Sequence, residues 1–186
     1  MDGGIWYRAR KCNGDKIFTV ADMENPNTEK IKISEGRFNH YGQSFLYLGD
    51  SPVVCQDELH ISNDSFYWMQ NVKIKHLEHV IDLCDYDFER DDIPLYIKGL
   101  LYTGKISARV LHQSSWKPEY MIPRFIADLC RKTDIDGIIY KSAECSLPDS
   151  KCMVVFNPDD KKIEYDGNPY LCAFGYKDLH FRELPF

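Results

Sequence analysis

Apolar residues in this chain come in short runs of two kinds. Some alternate with a period of two, and some recur at helical spacing, but the two kinds do not follow one another in regular strand–helix–strand units. That irregular order most constrains the fold. It favours α+β over a doubly wound parallel sheet, because βαβ folds require helix and strand to alternate throughout. Ile5 to Lys11 reads as a strand, with Ile5, Tyr7 and Ala9 on one face and Trp6, Arg8 and Arg10 on the other. Residues 21–36 are polar around Asn25-Pro26-Asn27 and read as a loop. Phe45 to Leu48 is a second strand. Ser51-Pro52 then supplies an N-cap and a first-turn proline for a helix running to about Ile61.

The stretch Lys73–Leu83 predicts another strand, followed by the acidic segment Asp82 to Asp92. That segment lacks the glycine and spacing of a calcium loop, so a solvated loop is the better reading. Ile122, Phe125, Ile126 and Leu129 lie at i, i+3, i+4 and i+7, which predicts an amphipathic helix with Pro123 in its first turn and Arg131-Lys132 at its end. Strands are expected at Gly137–Tyr140 and Cys152–Phe156, and an edge strand at Lys161–Tyr165.

With 186 residues, the chain is expected to form one domain that buries about 70% of its unfolded surface without a metal or disulfide. A net charge of −6 argues against a general nucleic-acid binder, whose affinity comes from neutralised phosphates. No apolar run reaches the ~18 residues of a membrane span, and no apolar leader is visible at the N-terminus. Seven cysteines with no C-x-x-C pair predict reduced, structural thiols in a cytoplasmic protein, and no metal site.

The chemistry is concentrated in Gly36-Arg37-Phe38-Asn39-His40-Tyr41-Gly42, Phe45-Leu46-Tyr47-Leu48, and Ser51-Pro52 followed by Glu58. A glycine-flanked turn presents an arginine, a strand presents a tyrosine, and a helix carries a carboxylate. Val54, Cys55 and Ile61 share the helical face of Glu58, so that carboxylate points at least partly inward. An inward charge needs a partner, and a structural salt bridge to an arginine is one way to supply it.

These residues resemble the RES domain family of bacterial NAD-consuming toxins. The resemblance continues through FIADLCRKTDIDGIIYKSAE and CMVVFNPDD and covers about Ile5 to Tyr165. It implies an ADP-ribosyltransferase-like fold, with a mixed, split β-core around a dinucleotide cleft. It also implies NAD+ as substrate, with hydrolysis, phosphorolysis or ADP-ribosyl transfer to a protein as the reaction, and a helix-turn-helix antitoxin as partner. Carried over residue by residue, it assigns Arg8 and Arg37 to the pyrophosphate and Tyr47 to the nicotinamide. It assigns Glu58 to the ribose and its developing cation. Ser142 is the candidate serine, and Asn39 joins the binding set. At Ile122-Pro123-Arg124 the chain departs from the family's Ser/Thr-Gln or Cys-Gln pair, which leaves open which serine is the family's.

Each assignment has a plainer competitor. Arg10 shares the face of Arg8, Tyr47 can be core, Ser142 a turn residue, and His40 a surface histidine. A catalytically silent nucleotide-binding module with this fold is the alternative to an enzyme.

Overall fold

The computed structural model describes residues 1, 3–12, 14–29, 32–61, 65–84, 98, 108–110 and 117–173. Seven strands form one mixed sheet: β1 (Ile5–Lys11), β2 (Leu46–Gly49), β3 (Phe66–Ile74), β4 (Val80–Asp82), β5 (Gly137–Lys141), β6 (Lys151–Val155) and β7 (Ile163–Ala173). Their order is β4-β5-β6-β2-β1-β3-β7. Only β4 and β5 run parallel; every other neighbouring pair is antiparallel. Three helices are described with it: α1 (Val20–Met23), α2 (Pro52–Glu58) and α3 (Met121–Cys130). The α+β class and the mixed sheet expected from sequence are both present.

The sheet is split in a specific place. β1 pairs with β3 over seven consecutive positions, but with β2 at one register position, Tyr7 opposite Gly49. The sheet is therefore two antiparallel halves joined at β1–β2. Alternation sends Tyr47, Tyr140, Cys152 and Val154 to the face covered by Val54 of α2 and by Ala127 and Cys130 of α3. Trp6, Leu48, Val72, Met153 and Val155 form a second apolar cluster on the opposite face.

Three elements depart from the sequence expectations. The segment Lys73–Leu83 is not one strand: it holds the end of β3 and, after a turn, β4. The body of β3 is hidden in the sequence because both its faces are buried, so it lacks a two-residue alternation. Its Gln70 is fully buried at an irregularity between Met69 and Asn71. There its amide donates to the carbonyls of Asn71, Asp166 and Gly167, satisfying backbone that the irregular ladder leaves over. β7 runs to Ala173 rather than Tyr165, and its place at the sheet edge tolerates Pro169.

Within the expected loop 21–36, α1 forms one short turn. The Asp22 carboxylate accepts from the Thr19 N–H and hydroxyl, and Met23 is buried with Phe18 and Trp68. Most of the acidic segment Asp82–Asp92 lies outside the described residues. All seven cysteines are free.

α3 forms where expected but is rotated. Pro123, Ala127 and Cys130 are buried, with Ile122 and Ile126 packed beside them. Phe125 and Leu129 are 63% and 49% exposed. The small Ala127 and Cys130 let the helix approach the sheet closely, so large residues at the stripe's far margin are left outside. Phe125→Ser is therefore expected to change unfolding free energy by less than about 0.5 kcal/mol. Ala127→Leu should destabilise by about 1–3 kcal/mol through overpacking. Equilibrium urea unfolding of the two variants checks this; equal losses would contradict the observed rotation.

Candidate active site

A cleft of about 440 Å³ opens where β1 and β2 part, with Ala9 on one side and Tyr47, Leu48 and Gly49 on the other. Val54, Cys55, Tyr140 and Cys152 give it an apolar interior, while Arg37, Glu58, His60, Tyr120 and Glu144 supply its polar groups. Such a volume, apolar with a few convergent polar groups, is typical of a small-molecule site.

Glu58 is delivered to this cleft by the last turn of α2. Ser51 caps the helix start by accepting from the Val54 N–H, and Pro52 occupies its first turn. The helix stops after Glu58, short of the expected Ile61. The N–H groups of His60 and Ile61 fold back onto the carbonyls of Asp57 and Gln56, with His60 left-handed at φ 48°. A carboxylate at a helix C-terminus faces the negative end of the dipole, so Glu58 needs stabilisation from outside its helix. The turn after β5 provides it. Ser142 Oγ donates to Glu58 Oε1 at 2.6 Å, the Ala143 N–H does so at 3.3 Å, and Cys152 Sγ lies 3.6 Å away. Ser142 Oγ in turn accepts from the Glu144 and Cys145 N–H groups at 3.3 and 3.0 Å. Among the described residues Glu58 makes no ion pair, so the salt-bridge reading does not describe it. One carboxylate oxygen is anchored, and the other has no hydrogen bond among the described residues.

Tyr47 is oriented by the glycine turn. Its hydroxyl donates to Asn39 Oδ1 at 2.9 Å and accepts from the Phe38 N–H at 3.1 Å. Burial pushes the Tyr47 hydroxyl well above its ordinary pKa, which keeps it protonated. Asn39 does not line the cleft. It is buried, its amide donating to the carbonyls of Ser34, His40 and Gln43, so it fixes the turn and Tyr47 rather than facing solvent. Arg37, also buried, donates to the Ala108 carbonyl at 2.9 Å and stacks 5.3 Å from the centre of the Tyr120 ring.

Arg8 sits elsewhere. Alternation along β1 puts Ala9 in the cleft, so Arg8 points through the other face of the sheet. There it donates to the carbonyls of Tyr47 and Glu24, and its Nε is buried without a partner. Burial, and Arg10 beside it, lower its pKa to about 10. Placing Arg8 on the pyrophosphate is therefore not supported by its position: it braces the backbone behind Tyr47. Arg10 donates to the Asp22 carbonyl and does not replace it. His40 pairs with Asp128 at 2.9 Å on the surface.

Tyr120, Tyr140, Cys55, Cys152, His60 and Glu144 were missed as cleft residues. The apolar ones carry no chemical signal in sequence, and Tyr120 reaches the site only because the turn Pro118–Tyr120 precedes α3. Burial pushes the Cys55 thiol up to about 12, and burial with the nearby Glu58 pushes Cys152 higher still. Both are neutral thiols near pH 7, which removes them as nucleophiles. Among the described residues no three His, Cys, Asp or Glu side chains gather as a metal site.

The split sheet, its cleft and this Glu–Ser–Tyr–Arg set define an α+β domain with a cleft of small-molecule size. The RES domain profile matches residues 5–174, and the chain belongs to the RES domain family. Membership is consistent with an NAD-related, toxin-like function. A search of curated proteins finds no match. Among the described residues no helix is long and apolar enough to cross a membrane.

Gly36 is the tightest point of the site. A Cβ there would stand 2.2 Å from Asn39 Oδ1 and 2.9 Å from the Tyr47 hydroxyl. Gly36→Ala must therefore break the Asn39–Tyr47 contact, and a loss of about 1–3 kcal/mol of stability is expected. Thermal unfolding measures it, and an unchanged melting temperature would contradict this packing.

Proposed function

We propose that this protein degrades NAD+ by cleaving its nicotinamide–ribose bond, acting in the cytoplasm as a toxin held in check by a helix-turn-helix antitoxin. The observation that carries the proposal is Glu58: a carboxylate without an ion pair among the described residues, anchored through one oxygen and lining a cleft beside Tyr47 and Arg37. Heterolysis of the bond sends its electron pair to the pyridinium nitrogen, so nicotinamide leaves neutral. The ribose becomes oxocarbenium-like, as in glycoside cleavage. Glu58, half-buried in the cleft wall, opposes that developing charge with a carboxylate already held in place.

Ser142 and the Ala143 N–H hold the carboxylate so that it does not have to reorganise during the reaction. Tyr47 is placed to cover the cationic pyridinium face. Arg37 offers a planar fork to a phosphate oxygen pair. Water or phosphate then captures the ribose at C1. Capture by a protein side chain is the transferase alternative.

Glu58→Gln preserves an acceptor for Ser142 and Ala143 while removing the charge. The expected result is a fall in kcat of about 10²–10³, with NAD+ affinity changed far less, because the opposing charge is fully developed only in the transition state. Single-turnover nicotinamide release, NAD+ binding and thermal unfolding on the same variant provide the check. A folded, NAD+-binding Gln variant with near wild-type turnover would remove Glu58 from the mechanism. Assaying the wild type for free ADP-ribose, its phosphorylated product and label on protein separates the three acceptors.

A further inference from the structure

A dinucleotide pyrophosphate carries two negative charges, and with Arg8 behind the sheet the cleft retains one of its two expected arginines. Three cations surround the ring of Tyr120, a cleft residue. The Arg37 and Arg124 guanidinium carbons lie 5.3 and 5.2 Å from its centroid, and Lys117 Nζ lies 5.2 Å away. Gathering three like charges is unfavourable by itself, and the protein as a whole is acidic, with a net charge of −6. Arg124 is already neutralised: its Nη2 is 2.9 Å from Glu35 Oε2, and its Nε donates to the Gly36 carbonyl. Lys117 has no carboxylate partner among the described residues.

We propose that Tyr120 and Lys117 complete the phosphate seat of the cleft. Tyr120 is a positioning residue that holds the Arg37 fork, and Lys117 is the second cation that meets the pyrophosphate. The inference rests on the NAD+ reading above for its substrate class.

Local geometry supports both roles. Pro118–Tyr120 is a 3₁₀ turn closed by the Tyr120 N–H on the Lys117 carbonyl, and in such a turn positions i and i+3 project to the same side. Lys117 and Tyr120 are thus delivered together. Because Lys117 and Arg37 both lie about 5 Å from one ring centre, their charges are at most about 10.5 Å apart, near enough for adjacent phosphates to contact both. Burial raises the Tyr120 hydroxyl above its ordinary pKa despite Arg37, so the ring stays neutral beside the cations. An aromatic face holds a guanidinium through its π cloud rather than through a hydrogen bond.

The test is calorimetric binding of ADP-ribose to the wild type and to Lys117→Gln, Tyr120→Phe, Tyr120→Leu, Arg37→Lys and the Tyr120→Leu/Arg37→Lys pair, with thermal unfolding of each. Lys117→Gln and Tyr120→Leu are each expected to weaken binding about tenfold, the scale of one charged hydrogen bond. Tyr120→Phe should stay within about twofold, because the π face is retained. The double variant should bind within about twofold of Arg37→Lys alone, since the ring acts through the fork; a merely structural Tyr120 would give additive losses. Wild-type affinity in Lys117→Gln, additive losses in the pair, or no binding of ADP-ribose by the wild type would each overturn the proposal. Should Tyr120→Leu fail to fold, Lys117→Gln still decides. Lys117-dependent binding of ADP-ribose without release of nicotinamide from NAD+ supports the seat while removing the enzymatic reading.

Discussion

The parting of β1 from β2 is the constraint on which the rest of the structure depends. Two antiparallel halves meet at one register position, Tyr7 opposite Gly49, and beyond it the strands leave room for a cleft. Separating strands exposes backbone groups that must be satisfied elsewhere. Arg8 contributes here, bringing its guanidinium to the carbonyls of Tyr47 and Glu24 from the far side of the sheet. The glycine turn contributes on the near side, where Asn39 gathers three carbonyls and still receives the Tyr47 hydroxyl. Each of these polar groups is occupied with keeping the opening in shape.

Glu58 stands against local preference. It sits at the wrong end of a helix for a carboxylate, and His60 beyond it adopts a left-handed conformation usually left to glycine. Such departures from local rules gather at functional sites, where tertiary contacts supply the compensation. The compensation is visible: Ser142 and Ala143, from the turn after a strand 84 and 85 residues away in sequence, donate to one oxygen of this carboxylate. A structural ion pair would have consumed the charge, whereas hydrogen-bond anchoring leaves it available for chemistry.

Fold and site were legible to different degrees, for physical reasons. Strands with one buried face, such as β1, announce themselves by alternation. β3 does not, because it is covered on both faces and its buried Gln70 looks like a surface residue until the irregular backbone beside it is known. The helical spacing at Ile122, Phe125, Ile126 and Leu129 located α3 correctly but not its rotation, which depends on how closely small residues let it approach the sheet.

The sequence by itself determined an α+β chain and the local devices that start α2 and close the glycine turn. It also singled out Arg37, Tyr47, Glu58 and Ser142 as candidate site residues. These follow from short-range rules of capping, turn geometry and side-chain capability. Only the tertiary structure decided that Arg8 points away from the cleft while Tyr120 enters it, and that Glu58 rests on Ser142 instead of an arginine. Those outcomes depend on where two strands stop pairing and on contacts between residues far apart in sequence, and no local pattern encodes either.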